Sequence, residues 1–438
     1  MDAIITPGAS LHGAIALPAD KAIAHRAVLF GALAGDRTVL TPWAEADDCQ
    51  FTLEAVRQLG VSAGLDGQRL TIEGVGLNGL RQPSAPIFCG ESGTTIRLLC
   101  GLLAGQSFPT QLTAAPGLSR RPMRRVIEPL SQMGAQLSGA AGQGGEHTPP
   151  IAIRGRRPLR GIEYAMPVAS AQVKSAILIA GLCAEGRTTV IEPAGTRDHT
   201  ERLLERLGVR IQRDGGRISV EPPTKPLQAL GELQIPGDPS SAAFFLVAAA
   251  ITTGSSLRIE QVSLNPSRIR LLDVLRRMGA RMTWTATDDA WEPRGRIDMQ
   301  SSPLRGLSLG PEDISELIDE LPILMVAACA AAEPTELRGI QELRVKETDR
   351  VQSMVTGLGA MGGRLEVQGD RMVIHPAKLR GAAVEGFGDH RTVMSLAVAA
   401  LRADGPTTIH GAEAIRKSFP SFFSLLSQAA GPDVVRLG

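Results

Sequence analysis

The sequence predicts an α/β protein built from six copies of one unit of about 72 residues, grouped three and three into two domains. Two independent patterns at the same period carry this prediction. The first is a helix end closed by glycine and followed by a strand: RQLGVSAGL, SQMGAQL, ERLGVRI, RRMGARM, GAMGGRL and SQAAGPDVV. Their glycines, Gly60, Gly134, Gly208, Gly279, Gly362 and Gly431, recur at intervals of 69 to 83 residues. Glycine there can end a helix in the left-handed conformation at little steric cost. The second pattern is a polar cluster opening an apolar, alanine-rich helix. Its copies start at Asp20, Ser92, Ser170, Ser240, Ile318 and Asp389. These helices are apolar on nearly every side, so they are predicted to be buried.

In chain order, the buried helices fall in DKAIAHRAVLFGALAG, SGTTIRLLCGLLAG, SAQVKSAILIAGLC, SSAAFFLVAAAITT, IDELPILMVAACAA and DHRTVMSLAVAALR. Each closes in a small turn and a strand, then gives way to an amphipathic helix that ends on one of the six glycines. A break falls at Pro236 and Gly237, after a strand-like segment and with three units on each side. The expected domains are 18–234 and 1–17 plus 235–438, with hinges near 17–21 and 233–237. The opening segment 1–17 is expected to pair with the second half.

Composition narrows the function. Lys and Arg total 46 against 45 Asp and Glu, and only 14 residues are aromatic. A nucleic-acid binder would want a basic face or stacking rings, so neither is expected as a partner. The longest apolar runs, Ala242–Ile251 and Ile323–Ala332, are too short to span a bilayer. The start has no basic segment ahead of an apolar core, so no secretory signal is read there. Five cysteines without metal-type spacing suggest thiols in a reducing cytoplasm, and seven histidines form no ligand pattern, so no metal is expected.

The unusual polar residues sit at the starts of the buried helices: Lys21 and Arg26; Gly93, Thr94 and Arg97; Ser170 and Gln172; Asp319 and Glu320; Asp389 and Arg391. A helix N-terminus offers unpaired N–H groups and partial positive charge, which suit an anion. Ser240 and Asp238 read more simply as N-caps. Lys21, Arg97 and Arg391 do not, because a cation in a first turn opposes the helix dipole. Two further clusters, LRVKETDRV and SRRPMRRV, add Arg344, Lys346, Glu347, Arg350 and Arg121. Several helix starts with added cations predict a site for a highly anionic small molecule.

At these residues the chain resembles the 5-enolpyruvylshikimate-3-phosphate synthase family. LPADKAIAHR, CGESGTTIR, RRPM, SAQVKSA, TRDHTE, PGDPSSAAFF, DELPIL, LRVKETDR, DHRTVM and KSFPSFF occur in the family's order over essentially the whole chain. The resemblance implies a two-domain inside-out α/β barrel, the enolpyruvyl transferase fold, with three βαβαββ repeats per domain closing over a cleft. It implies transfer of the enolpyruvyl group of phosphoenolpyruvate to the 5-hydroxyl of shikimate 3-phosphate, with release of phosphate. A monomer with small-molecule partners and no cofactor is expected.

The same resemblance assigns residues. Lys21, Gly93, Thr94, Arg121, Gln172, Arg350, Arg391 and Lys417 match the phosphoenolpyruvate site. Lys21, Ala22, Arg26, Ser170, Ala171, Gln172, Arg197, Asp319 and Lys346 match the shikimate 3-phosphate site. Asp319 matches the base at the attacking hydroxyl, Glu347 the acid at the methylene carbon, and Lys21 a catalytic cation. Separate acid and base roles need two carboxyl groups with different environments among fixed cations. Four of the six lysines, Lys21, Lys174, Lys346 and Lys417, lie inside these motifs.

The chain departs from the family at Ala22 and Ala24, where serines are usual, and at Glu91, where the family's NAGT turn reads ESGT. Loss of a hydroxyl at Ala22 is expected to weaken one substrate by ~1–3 kcal/mol if the lost bond is charge-assisted. These departures leave open a divergent enolpyruvyl transferase acting on another alcohol. The related transferase to UDP-N-acetylglucosamine uses a loop cysteine, and the matching segment Thr113–Arg125 has none.

Overall fold

The structure, a computed structural model, describes residues 1–288 and 291–438. It divides into two compact units, one of Ala19–Ile235 and one of Met1–Pro18 with Pro236–Gly438.

Within Ala19–Ile235 the helices are α1 (Lys21–Leu33), α2 (Asp47–Gln58), α3 (Gly93–Ala104), α4 (Arg124–Gln132), α5 (Ala171–Gly181) and α6 (His199–Arg206). Three four-stranded sheets accompany them. The middle sheet shows the rule. Strand Ile87–Phe88 lies parallel to Pro109–Thr113, which is antiparallel to His147–Arg154, and Gln136–Ala141 forms the far edge. The third sheet repeats this with Glu163–Ala165, Thr188–Ile191, Arg217–Val220 and Ile211–Asp214. The first sheet takes its leading strand, Gly231–Gln234, from the end of the unit and sets it parallel to Arg37–Thr41.

The other unit holds α7 (Pro239–Ile251), α8 (Arg270–Arg277), α9 (Pro311–Glu316), α10 (Leu321–Cys329), α11 (Arg350–Ala360), α12 (His390–Ala400) and α13 (Phe422–Ala430). Its three sheets keep the same strand order. The N-terminal segment supplies strands to two of them. His12–Ala16 lies parallel to Ser256–Ser263, and Asp2–Ile5 sits between Thr407–His410 and Val435–Leu437.

The helices expected to be buried are buried. Every residue of α7 from Ser240 to Ile251 is closed to solvent, as is all of α10. Each fully buried Leu, Phe or Val side chain contributes roughly 1.5–3 kcal/mol of apolar transfer energy. Close helix packing needs small residues: a Cβ on Gly101 of α3 would lie 2.2 Å from the Ala176 carbonyl oxygen of α5. In the second unit Phe244 and Phe245 of α7 meet Phe419 and Phe422 with ring centroids 5.7–6.1 Å apart, and Phe422 in turn meets Phe423 at 5.2 Å. The aromatic half of KSFPSFF is therefore core, and it anchors the turn that carries Lys417.

The six units are present, and three of their helix ends differ from the pattern in the sequence. Gly60, Gly134, Gly208, Gly279 and Gly362 all have φ between +80° and +101°. Gly431 has φ 107° and ψ 153°, outside the left-handed helical well, because the chain leaves α13 for a 3-10 turn at Pro432 rather than a tight reversal. The fourth buried helix is capped by Asp238, which accepts from the Ser240 N–H at 2.8 Å, so Ser240 is not the cap. The fifth starts at Leu321 rather than Ile318, which places Asp319 and Glu320 ahead of the first turn.

Candidate functional site

In the unit Ala19–Ile235, side chains at helix starts link one repeat to the next. Asp20 caps α1 by accepting from the Ile23 N–H at 3.0 Å, leaving Lys21 at the first helical position. Lys21 Nζ lies 2.8 Å from Asp48 Oδ2 at the start of α2. Arg26, one turn further into α1, is buried and donates to the Ala22 carbonyl (2.8 Å), Thr200 Oγ1 of α6 (2.8 Å) and Ser175 Oγ of α5 (2.9 Å). The first and third repeats of this unit are thus joined through one guanidinium.

At α3, Ser92 caps by accepting from the Thr95 N–H at 3.1 Å. Gly93 follows, and a Cβ there would lie 2.8 Å from Arg121 Nη1 and 2.9 Å from Arg97 Nη1. The missing side chain is what lets two guanidinium groups gather at this helix start. Arg97 Nη1 donates to Gln172 Oε1 at 2.6 Å, and Gln172 Nε2 donates to Thr94 Oγ1 at 2.9 Å. Gly93, Thr94, Arg121 and Gln172, expected together, are together. Ser170 caps α5 beside them, accepting from Val173 N–H at 3.4 Å, with Ala171 as the first helical residue. Glu91 is committed to the loop: its Oε1 accepts from the Gly117 N–H at 2.9 Å.

Burial and two nearby cations, Lys21 and Arg26, push the His25 imidazole well below its ordinary value. Its Nδ1 lies 2.6 Å from Thr52 Oγ1, which in turn lies 2.6 Å from Thr95 Oγ1. This chain ties α1 and α2 to α3. Arg197 lies on the segment between strand Thr188–Ile191 and α6, two residues before the helix.

In the other unit, Arg350 organises the helix starts. Its side chain is 1% exposed. Nε lies 2.8 Å from Asp389 Oδ2, Nη2 lies 2.6 Å from Glu347 Oε2 and Nη1 lies 3.5 Å from Asp319 Oδ1. Burial alone would lower its pKa, but the carboxylates of Asp389, Glu347 and Asp319 outweigh that and raise it above the ordinary arginine value. Arg391 Nη1 donates to the Asp319 carbonyl at 2.5 Å and stands 3.7 Å from Glu320 Oε1. Lys417 Nζ lies 3.8 Å from Glu347 Oε1.

Asp319 and Glu347, the two carboxylates expected to do acid–base work, are held by one arginine. Lys346 Nζ lies 3.6 Å from Glu342 Oε1. It lies after the 3-10 turn Ile340–Val345, whereas α11 begins only at Arg350, capped by Asp349.

Four partner residues carry no signal in the sequence. Asp48 was hidden in the acidic run Asp47–Asp48, where either residue looks like helix-start charge. Glu192 and Glu201, which flank the buried Lys174, lie outside any pattern of spacing. Arg268 bridges Asp238 Oδ1 (2.9 Å) and Ser240 Oγ (3.0 Å), and nothing in SLNPSR marks it. Among the described residues no group of three or more His, Cys, Asp or Glu could hold a metal ion, and no helix is long and apolar enough to cross a membrane.

Residues 5–426 match the family model described as EPSP synthase (3-phosphoshikimate 1-carboxyvinyltransferase). The chain is 47% identical to a 3-phosphoshikimate 1-carboxyvinyltransferase of Nitrosococcus oceani, covering 96% of this chain and 94% of that one. It is 46% identical to the protein of that name from Alkalilimnicola ehrlichii, covering 98% and 96%. Among solved structures it is similar to an EPSP synthase from Acinetobacter baumannii, with TM-score 0.87, 40% identity and 99% of both chains covered. The enolpyruvyl transferase NikO from Streptomyces tendae shares the fold at TM-score 0.78 and 17% identity, covering 99% of this chain and 98% of that one.

Proposed function

The chain belongs to the EPSP synthase (3-phosphoshikimate 1-carboxyvinyltransferase) family, and from that premise we propose how its own residues carry out the transfer. The reaction joins the 5-hydroxyl oxygen of shikimate 3-phosphate to C2 of phosphoenolpyruvate. A proton adds to the methylene carbon, C2 becomes cation-like, and the hydroxyl attacks as it gives up its proton. The adduct then loses a proton from the former methylene carbon and the C2–O bond to phosphate breaks. The products are 5-enolpyruvylshikimate 3-phosphate and phosphate.

Glu347 carries the proton to and from the methylene carbon. Asp319, with Lys346, takes the proton of the attacking hydroxyl. Lys21, Arg121, Arg350, Arg391 and Lys417 neutralise the carboxylate and phosphate of phosphoenolpyruvate, with Gly93, Thr94 and Gln172 forming the polar turn against it. Ser170, Ala171, Gln172, Arg197 and Arg26, with Lys21 and Ala22, hold shikimate 3-phosphate. Fixed cations around a charge-separating step stabilise it without reorganisation.

The observation that supports this reading most is the common bond of Glu347 and Asp319 to Arg350. It brings the two carboxylates assigned to proton transfer within one guanidinium's reach. Glu91, bonded to Gly117, has a structural use that calls for no other acceptor alcohol. The protein is further read as cytoplasmic, a reading its five free, buried thiols support, and as a monomer. The test is phosphate release by purified protein. Release should require both phosphoenolpyruvate and shikimate 3-phosphate, and no acceptor-dependent release at millimolar substrates would refute the reading.

A further inference from the structure

Lys174 is the one motif lysine that the proposed chemistry does not use. It lies in the second turn of α5, its side chain is 1% exposed, and it is held by two carboxylates. Nζ lies 2.6 Å from Glu201 Oε1, in the first turn of α6, and 3.2 Å from Glu192 Oε2, just after strand Thr188–Ile191. Glu201 is 1% and Glu192 6% exposed. Glu201 Oε2 is buried with no hydrogen-bond partner among the described residues. A buried ammonium between two buried carboxylates is a poor way to gain stability, because apolar residues of similar volume usually do as well or better. Such a cluster is better suited to fixing one arrangement of the elements it joins.

The elements it joins bracket one segment. Residues 192–198 run without helix or strand from the end of Thr188–Ile191 to α6, and they carry Arg197. Glu192 anchors the segment at its start, with its N–H donating to the Gly216 carbonyl at 2.8 Å and its Oε1 accepting from the Thr196 hydroxyl within the segment. Glu201 anchors the far side, one residue after Thr200, which receives the Arg26 guanidinium. Lys174 ties both anchors to α5, three residues after its first residue.

We propose that Lys174, Glu192 and Glu201 are positioning residues that hold the 192–198 segment, and with it Arg197, in register with the start of α5, so setting affinity for the phosphorylated acceptor. This rests on the reading above that Arg197 and Ser170 bind shikimate 3-phosphate. Arginine recognition of phosphate depends on placing a planar fork of donors, so a loosened segment loses affinity without losing charge.

The test compares wild type, Lys174→Met with Glu201→Leu, and Glu192→Gln, using calorimetric binding of shikimate 3-phosphate alone and steady-state kinetics with both substrates. The double variant removes the ammonium with one carboxylate, and Glu192→Gln keeps an acceptor for Thr196. Both variants should melt as cooperatively as wild type. Both should raise the KM and Kd for shikimate 3-phosphate, about tenfold or more in the double variant, with kcat and the KM for phosphoenolpyruvate within about threefold. Unchanged acceptor affinity in folded variants overturns the proposal. So does a fall in kcat with both KM values raised alike, or loss of folded protein in both variants, since each assigns the cluster to stability alone. Wild type that binds no shikimate 3-phosphate defeats instead the underlying assignment of the acceptor.

Discussion

Arg350 and Asp389 form an ion pair at 2.8 Å with side chains 1% and 0% exposed, between the starts of α11 and α12. Asp389 also caps its own helix, accepting from the Arg391 N–H at 2.8 Å. One carboxylate therefore sets both a helix start and the guanidinium that holds Glu347 and Asp319. Replacing Asp389 with Ala leaves a buried charge with less compensation and removes a cap. The expected loss is about 3–5 kcal/mol in denaturant unfolding. Asp389→Asn keeps the capping oxygen and should lose clearly less. Equal losses would show that the ion pair, not the cap, dominates.

Glu347 and Asp319 are each assigned a proton transfer, so the amide variant of either should fail in the chemical step. Glu347→Gln and Asp319→Asn should each cut kcat by roughly 100- to 10,000-fold. Binding of shikimate 3-phosphate, measured by calorimetry, should change little. A variant that keeps half of wild-type turnover would remove that residue from the chemistry.

Gly93→Ala tests the gathering of cations at α3. The added Cβ would meet only the far ends of Arg121 and Arg97, at 2.8 and 2.9 Å. Flexible ends can move, so the fold should lose no more than ~1 kcal/mol. The displaced guanidinium groups should raise the KM for phosphoenolpyruvate roughly tenfold, about 1.4 kcal/mol of lost binding. Thermal melting and kinetics on the same preparation would separate the two effects. An unchanged KM would mean that neither arginine meets this substrate.

How legible all this was differs by level. The six-unit repeat was readable because it is written twice, once in terminal glycines and once in apolar helices, and each signal is local. The helix-start clusters at Gly93–Thr94 and Asp389–Arg391 were readable for the same reason. The partners were not. Lys21 finds Asp48 across 27 positions, Arg97 finds Gln172 across 75 and Arg26 finds Thr200 across 174. No local pattern encodes such pairs, because they follow from how three repeats pack. The exchange of leading strands, with His12–Ala16 and Gly231–Gln234 each pairing far along the chain, is non-local in the same way. Helix boundaries erred where a residue had a second use. Ser240 looked like a cap but donates to Glu320 Oε1 at 2.5 Å.

His25 gives a pH prediction of definite sign. It is 0% exposed, and burial first, then Lys21 and Arg26, hold its pKa well below the ordinary 6.5. The unfolded chain therefore takes up a proton near pH 6.5 that the folded chain refuses. Stability from this residue is fully present above that pH. It falls as the pH drops below it, with a slope approaching ~1.4 kcal/mol per pH unit, until the folded state also protonates. His25→Gln keeps a polar partner for Thr52 and cannot titrate. Its overall stability should be lower at pH 7.5, but its loss between pH 7 and pH 5 should be shallower than that of wild type. Urea unfolding of both proteins at half-unit pH steps measures the difference in slope. Parallel curves would mean that other groups carry the acid sensitivity and that burial of His25 has no part in it.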